Sequence, residues 1–261
     1  MRLCIKVGGA LLEERAGRDR LAATLAAAAD AGHELLVVHG GGRQIAALAT
    51  RLGLEERRYE GLRVTDAETA RVVSWVLAGE VNKALATALG RHGVRALGMC
   101  GADLGFFSAR HKQAPVDLGY VGELHASDVH ADAVAGLLAQ GIVPVVATLA
   151  PAADGAHETL LNINADEAAG PIAAALECDE LIVLSDVAGV LDADGKLLAQ
   201  LDASGVATLI ERGVVHGGMI PKVRAALAAL DAGVPCIRIL SGTSPDAIEA
   251  ALAGGGTEFR P

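Results

Sequence analysis

Leu3-Cys4-Ile5-Lys6-Val7-Gly8-Gly9 is a short aliphatic run that carries one lysine and ends on two glycines, and Leu35-Leu36-Val37-Val38-His39-Gly40-Gly41-Gly42 repeats the arrangement with a histidine before three. Runs of this length, apolar at consecutive positions, mark strands buried on both faces of a parallel sheet. Each glycine turn then lies at the carboxyl end of its strand, and the second turn opens a helix. In open α/β sheets ligands bind beyond that edge, where helix N-termini turn their free N–H groups outward. Glycine lets a phosphate reach the backbone with no Cβ in the way. One such glycine pair by itself reads equally well as a tight turn.

Further strand-length runs occur at Val94 to Met99, Ile142 to Ala147, Glu180 to Ser185 and Pro235 to Leu240. Between them Arg18 to Ala31, Gln44 to Leu52, Ala67 to Arg91, Ala131 to Gln140, Ala165 to Leu176 and Ile220 to Ala232 carry helical periodicity. Alternation of this kind predicts an α/β protein, a mainly parallel sheet with helices on both faces. Tyr59 to Thr65 and Gly101 to Leu124 break the rhythm and read as hairpins over the sheet. Ala150 to Glu158 reads as a turn before a strand at Thr159 to Ile163. Strand and helix units resume beyond Gly170, which places a soft lobe boundary there.

The 261 residues are 52% hydrophobic but only 2% aromatic, so the core must be assembled from many small aliphatic contacts. A formal net charge of -10, with no Lys/Arg-rich run, excludes the basic footprint of a nucleic-acid binder. Cys4, Cys100, Cys178 and Cys236 are far apart and never spaced C-x-x-C, as expected of reduced thiols in a cytosolic protein. Lys6, Gly8 and Gly9 interrupt the first apolar stretch, and no segment approaches the ~18 uninterrupted apolar residues of a membrane span. The expected location is the cytoplasm, with no membrane partner.

Neither glycine turn matches the P-loop or dinucleotide signatures. His-Gly-Gly-Gly also forms the oxyanion hole of lipase-like hydrolases, but no serine here has the G-x-S-x-G spacing such an enzyme needs. Leu161-Asn162-Ile163-Asn164-Ala165-Asp166 puts three polar side chains on alternate positions where a strand runs into a helix, either a solvated strand face or one wall of a site. Gly217-Gly218-Met219-Ile220-Pro221-Lys222 opens a helix, and the dipole disfavours a lysine in its first turn unless an anion sits opposite.

Taken together, Lys6-Val7-Gly8-Gly9, His39-Gly40-Gly41-Gly42, Gly61-Leu62-Arg63-Val64-Thr65, Asn82-Lys83, Asp117-Leu118-Gly119-Tyr120-Val121-Gly122, Asn162-Ile163-Asn164-Ala165-Asp166, Ser185-Asp186-Val187-Ala188-Gly189-Val190-Leu191 and Gly217-Gly218-Met219-Ile220-Pro221-Lys222 occur in order along nearly the whole chain. In this the sequence resembles the amino-acid kinase family, and within it the members acting on N-acetyl-L-glutamate. The resemblance implies a three-layer αβα sandwich around a mainly parallel eight-stranded sheet. Residues 1–170 would hold the acyl acceptor and the dimer contact, and residues 171–261 the nucleotide.

The implied reaction transfers the γ-phosphoryl of ATP, with Mg2+ on its phosphates, to the side-chain carboxylate of N-acetyl-L-glutamate, the second step of arginine biosynthesis. That carboxylate is ionised near neutral pH and needs no general base. By the same likeness Lys6 and Lys222 are the catalytic cations and Asp166 holds both. Gly8 and Gly9 line the phosphoryl path, while Gly41, Gly42, Arg63, Asn162 and Asn164 bind the acceptor. Asp186, Val187, Ala188, Gly189, Val190 and Leu191, with Val214, Val215 and His216, match the nucleotide segments, although histidine is not expected at position 216. Gly101 to Phe107 also departs from the family wording. No dedicated protein metal site is implied.

Arginine-inhibited members carry an N-terminal helix that joins dimers into a hexameric ring. Here the first strand starts at about Leu3, so an arginine-insensitive homodimer is expected. A PII-type regulator is left open, with no residue supporting it. The alternatives are a sibling kinase acting on carrier-linked aminoadipate or another small carboxylate, against which the Gly61 to Thr65 hairpin argues, and a silent sensor, against which both lysines and Asp166 argue.

Overall fold

The computed structural model describes residues 1–260. In chain order its strands are β1 (Arg2–Val7), β2 (Glu34–His39), β3 (Arg58–Tyr59), β4 (Leu62–Arg63), β5 (Ala96–Cys100), β6 (Arg110–His111), β7 (Val121–Glu123), β8 (Val143–Ala147), β9 (Leu149–Ala150), β10 (Leu161–Ile163), β11 (Glu180–Ser185), β12 (Gln200–Leu201), β13 (Ile237–Ser241) and β14 (Thr257–Phe259). Its α-helices are α1 (Arg15–Asp30), α2 (Gly42–Arg51), α3 (Ala67–Ser74), α4 (Asn82–Arg91), α5 (Asp132–Ala139), α6 (Ala165–Ala175), α7 (Ala203–Glu211), α8 (Met219–Asp231) and α9 (Ala247–Leu252).

Eight strands form the central sheet in the order β12-β14-β13-β11-β1-β2-β8-β5, and every adjacent pair is parallel except β13 with β14. In β1 the side chains alternate between faces, as strand geometry requires. Leu3, Ile5 and Val7 enter the apolar cluster shared with α1, α4 and α9, while Cys4 enters the one built with α5, α6 and α8. Lys6 shares its face with Cys4 and so points toward α6. The strand order reverses at β1, with β2 on one side and β11 on the other. That is the switch point at which open α/β sheets bind ligands.

The fold is the αβα sandwich the sequence implied, with two differences of detail. Ala67 to Arg91 is continuous as expected, but Trp75–Val81 within it is π-helical. Its inner face (Val72, Val73, Val76, Leu77, Leu85, Leu89) is buried in the core, so this helix, though long and apolar enough to span a membrane, is a core helix. Gly101 to Leu124 is not a free-standing hairpin, because β6 and β7 are only 2 and 3 residues long. They gain partners in a second sheet, β6-β7-β10-β9, in which Val121 pairs with Asn162. Gly170 lies within α6, which packs against both β1 and β11. Among the elements the hydropathy pattern did not single out, α9 and β14 are only 6 and 3 residues long, too short to carry much periodicity.

Candidate active site

A cavity of about 260 Å3 opens over the carboxyl ends of β1 and β2. Lys6, Gly8 and Gly9 line it from the first strand and turn, Gly40 to Gly42 from the second, Asn162 to Asp166 from β10 and the start of α6, and Lys222 from α8. The hairpin β3-β4 closes the rim with Arg58, Gly61, Leu62 and Arg63. The N-terminal turns of α2, α6 and α8 therefore converge on one space, each adding partial positive charge.

Positions 6, 166 and 222 meet at its floor. Lys6 Nζ lies 2.6 Å from Asp166 Oδ1, and Lys222 Nζ lies 3.2 Å from Asp166 Oδ2. Asp166 occupies the first turn of α6, where a carboxylate is favoured, and Asn164 caps that helix by accepting from the Asp166 N–H at 2.9 Å. Burial is the largest influence on Asp166 and would raise its pKa, but the two ammonium groups hold the carboxyl below its usual range. Burial lowers the Lys6 pKa and Lys222 pushes it the same way, while Asp166 opposes both. Two cations thus share one anion, leaving a net +1.

The rim repeats this arithmetic. Arg58 and Arg63 both engage Glu56, Arg63 through NH1 at 3.1 Å, and Arg63 NH2 donates to the Gly42 carbonyl at 3.1 Å. Two guanidiniums and one carboxylate again leave +1, so the cavity faces its occupant with about two unbalanced positive charges, suited to a multiply anionic ligand.

Gly41 is tightly packed: a Cβ there would sit 2.8 Å from Leu77 Cδ2 and 3.2 Å from Val81 Cγ2, so a side chain would have to displace one or both of these groups. At Gly189 the backbone is left-handed (φ 147°) and a Cβ would approach Leu197 Cδ1 and Thr257 Oγ1 at 2.6 Å. The segment Asp186 to Leu191 leaves the carboxyl end of β11 next to Gly8, whose N–H donates to the Leu184 carbonyl at 2.9 Å. Val214, Val215 and His216 lead into α8, with Val215 buried and His216 exposed. None of these nine residues lines the cavity that holds Lys6; Val187 and Leu191 among them are exposed, whereas Val190 and Val215 are buried.

The cavity also uses residues that the sequence analysis did not name. Thr148, buried just past β8, was recoverable as the residue following a buried parallel strand. Arg58 sits in the charged string Glu55-Glu56-Arg57-Arg58, which gave no reason to choose between its members. Ile45 and Leu77 carry no sequence signal, because only tertiary packing brings them to this wall.

Paired ammonium groups bridged by one carboxylate, under three converging helix N-termini, define an α/β site for handling phosphate. The chain belongs to the amino acid kinase family, which it matches over residues 1–241. It is 46% identical over 248 residues to an acetylglutamate kinase of Koribacter versatilis, covering 95% of this chain and 93% of that protein. To an acetylglutamate kinase of Pelotomaculum thermopropionicum it is 40% identical over 260 residues, covering 94% and 86%. Among solved structures, smu.665 from Streptococcus mutans superposes with a TM-score of 0.83 at 30% identity, covering 99% of this chain and 98% of that one.

Proposed function

We propose that this chain is an ATP-dependent kinase that phosphorylates the side-chain carboxylate of N-acetyl-L-glutamate in arginine biosynthesis. The observation that carries the reading is the Lys6, Asp166 and Lys222 cluster at the floor of a cavity with unbalanced positive charge. The relatives named acetylglutamate kinase, similar over nearly the whole chain, support the choice of acceptor.

In the reaction a carboxylate oxygen of the acceptor attacks the γ-phosphorus, an O–P bond forms, the bond to the β,γ-bridging oxygen breaks, and ADP leaves with that electron pair. No proton is moved. Catalysis then rests on alignment and on neutralising the three equatorial oxygens. Lys6 and Lys222 supply the charge there, and Asp166 keeps two mutually repelling ammonium groups on the same target. Arg63 holds the α-carboxylate of the acceptor from the rim, Gly41, Gly42 and Asn162 seat the rest of it, and Asn164 fixes the start of α6. Gly8 and Gly9 line the phosphoryl path.

ATP enters as its Mg2+ complex. Asp166, the one carboxylate on the cavity wall among the described residues, is engaged by both lysines, so the metal rides on the ATP phosphates. Residues 171–261 bind the nucleotide through Asp186 to Leu191 and Val214 to His216, and residues 1–170 bind the acceptor. Two copies associate in the cytoplasm through residues 1–170, where Leu97 on the edge strand β5 (40% exposed) and Trp75 on the π-helical stretch (59% exposed) leave apolar surface uncovered.

The test is a hydroxamate assay with MgATP comparing N-acetylglutamate, glutamate, aspartate and N-acetylaminoadipate. Acyl phosphate forms from the first well above the others; equal or absent product from N-acetylglutamate overturns the substrate assignment.

A further inference from the structure

A buried polar relay leads from the outer edge of the sheet to the second glycine turn, and nothing in the mechanism above uses it. His39, the last residue of β2, is fully buried on the face opposite the lysines, as is Asn82, the first residue of α4. His39 Nδ1 lies 3.0 Å from the Gly40 carbonyl oxygen, and its Nε2 lies 3.0 Å from Asn82 Nδ2. Asn82 Nδ2 also donates to the Val145 carbonyl at 2.7 Å, and its Oδ1 accepts from Lys83 Nζ at 3.1 Å. Lys83 is in turn anchored to the Gly98 carbonyl at 2.7 Å.

The partners settle the direction of every bond. A carbonyl oxygen can only accept, so His39 Nδ1 carries the proton. A neutral imidazole then presents a bare Nε2, which must accept, and the Asn82 amide must turn its NH2 toward it. Lys83, which can only donate, requires the Asn82 oxygen on the other side. The relay therefore runs one way, from Lys83 through Asn82 and His39 to Gly40, with no member free to reverse. Burial lowers the His39 pKa to about 4, so the ring stays neutral near pH 7.

Fixing the Gly40 carbonyl has a consequence at the cavity. The peptide joining Gly40 to Gly41 is planar and trans, so its N–H points opposite to its C=O. With the carbonyl turned inward to His39, the Gly41 N–H is turned to the cavity side. Neither Gly41 nor Gly42 N–H has an acceptor among the described residues, and both nitrogens lie within 3.7 Å of where a Gly9 side chain would begin. The same helix acts twice on this turn, since Leu77 and Val81 of the π-helical stretch press on Gly41 while Asn82, the next residue, pins His39. π-Helical turns recur at functional sites because they shift the phase of the residues that follow.

We propose that His39 and Asn82 are positioning residues for phosphoryl transfer: they lock the Gly40-Gly41 peptide so that its N–H faces the reacting carboxylate or phosphoryl oxygens. The proposal rests on the kinase reading. It concerns groups that never touch substrate, and it makes the identity of side chain 39 matter through one proton.

The test compares His39→Asn, whose Nδ2 falls near the place of Nδ1 and can still donate to the Gly40 carbonyl, with His39→Leu, which fills the space but donates nothing. The leucine enzyme loses kcat by roughly 100-fold, the scale of a small misplacement of a catalytic donor, while its KM for ATP stays near that of wild type. The asparagine enzyme recovers most of the loss. Independently, 15N-detected NMR of the wild-type protein shows His39 as the neutral Nδ1–H tautomer, and Asn82→Leu admits the second tautomer. Equal kcat in folded His39→Asn and His39→Leu overturns the proposal, as does an Nε2–H tautomer in wild type. The NMR result decides if the leucine enzyme does not fold. Wild type inactive on N-acetylglutamate would instead count against the kinase reading and leave the tautomer measurement standing.

Discussion

Two buried charge clusters in this molecule are built from the same ingredients and do opposite things. At the floor of the cavity two lysines share Asp166, and the count is two cations to one anion. At the other half of the sheet Arg238 bridges Glu180 at 3.0 Å and Glu258 at 2.9 Å, donates to the Gly255 carbonyl at 3.2 Å, and leaves Glu258 a second partner in Arg260. There the count is two cations to two anions. That cluster ties strands β11, β13 and β14 together and does not line the cavity that holds Lys6. A buried charge network that balances itself is a structural fastening; one left with excess charge beside a cavity is waiting for a ligand.

The comparison can be broken by exchanging the two outcomes. Arg238→Met leaves two carboxylates buried with one of their cations gone and costs about 3 to 5 kcal/mol of stability. Denaturant titration reads that loss, and the residual folded enzyme keeps its KM values. Lys6→Met removes an ammonium that burial and Lys222 already disfavour, so its stability holds within about 1 kcal/mol of wild type, whereas kcat drops by the equivalent of about 3 to 4 kcal/mol. If Lys6→Met unfolds the protein while Arg238→Met abolishes turnover, the assignment of the two clusters is wrong.

Smaller effects sharpen the picture at the rim and at the shared carboxylate. Arg63→Lys keeps the charge but loses the fork, and raises the KM for N-acetylglutamate about tenfold, roughly 1.4 kcal/mol, without moving that for ATP. Asp166→Asn removes the one influence that raises the Lys6 pKa, leaving burial and Lys222 to lower it further. Lys6 must be protonated to work, so the alkaline limb of the kcat/KM profile moves to lower pH, and an unmoved limb shows that Lys6 does not titrate in the cycle.

The central sheet was legible because its strands are long and uniformly aliphatic: β1, β2, β8 and β11 each fall within two residues of an apolar run. The second sheet was not, since β6, β7 and β9 have two or three residues and draw their stability from cross-strand partners distant in the chain. The π-helical turn left no mark either, because Trp75 to Val81 continues the apolar helical pattern of the segments on either side of it. In the site, Lys6, Asp166 and Lys222 stood out as charges next to glycine turns or at a helix start. Ile45 and Leu77 reach the same wall only through the fold.

Read alone, the amino-acid order determined the layers, the parallel sheet, the glycine turns at its carboxyl edge and the three charged residues able to serve a phosphate, because hydrophobic period and helix-start chemistry are local properties. Tertiary structure decided what is a relation between distant segments. It set the 2.6 and 3.2 Å approach of two lysines to one aspartate. It also set the direction of the Lys83, Asn82 and His39 relay, and the difference between a charge network that closes on itself and one that does not. Such relations depend on distances and counts of partners, which no stretch of sequence carries by itself.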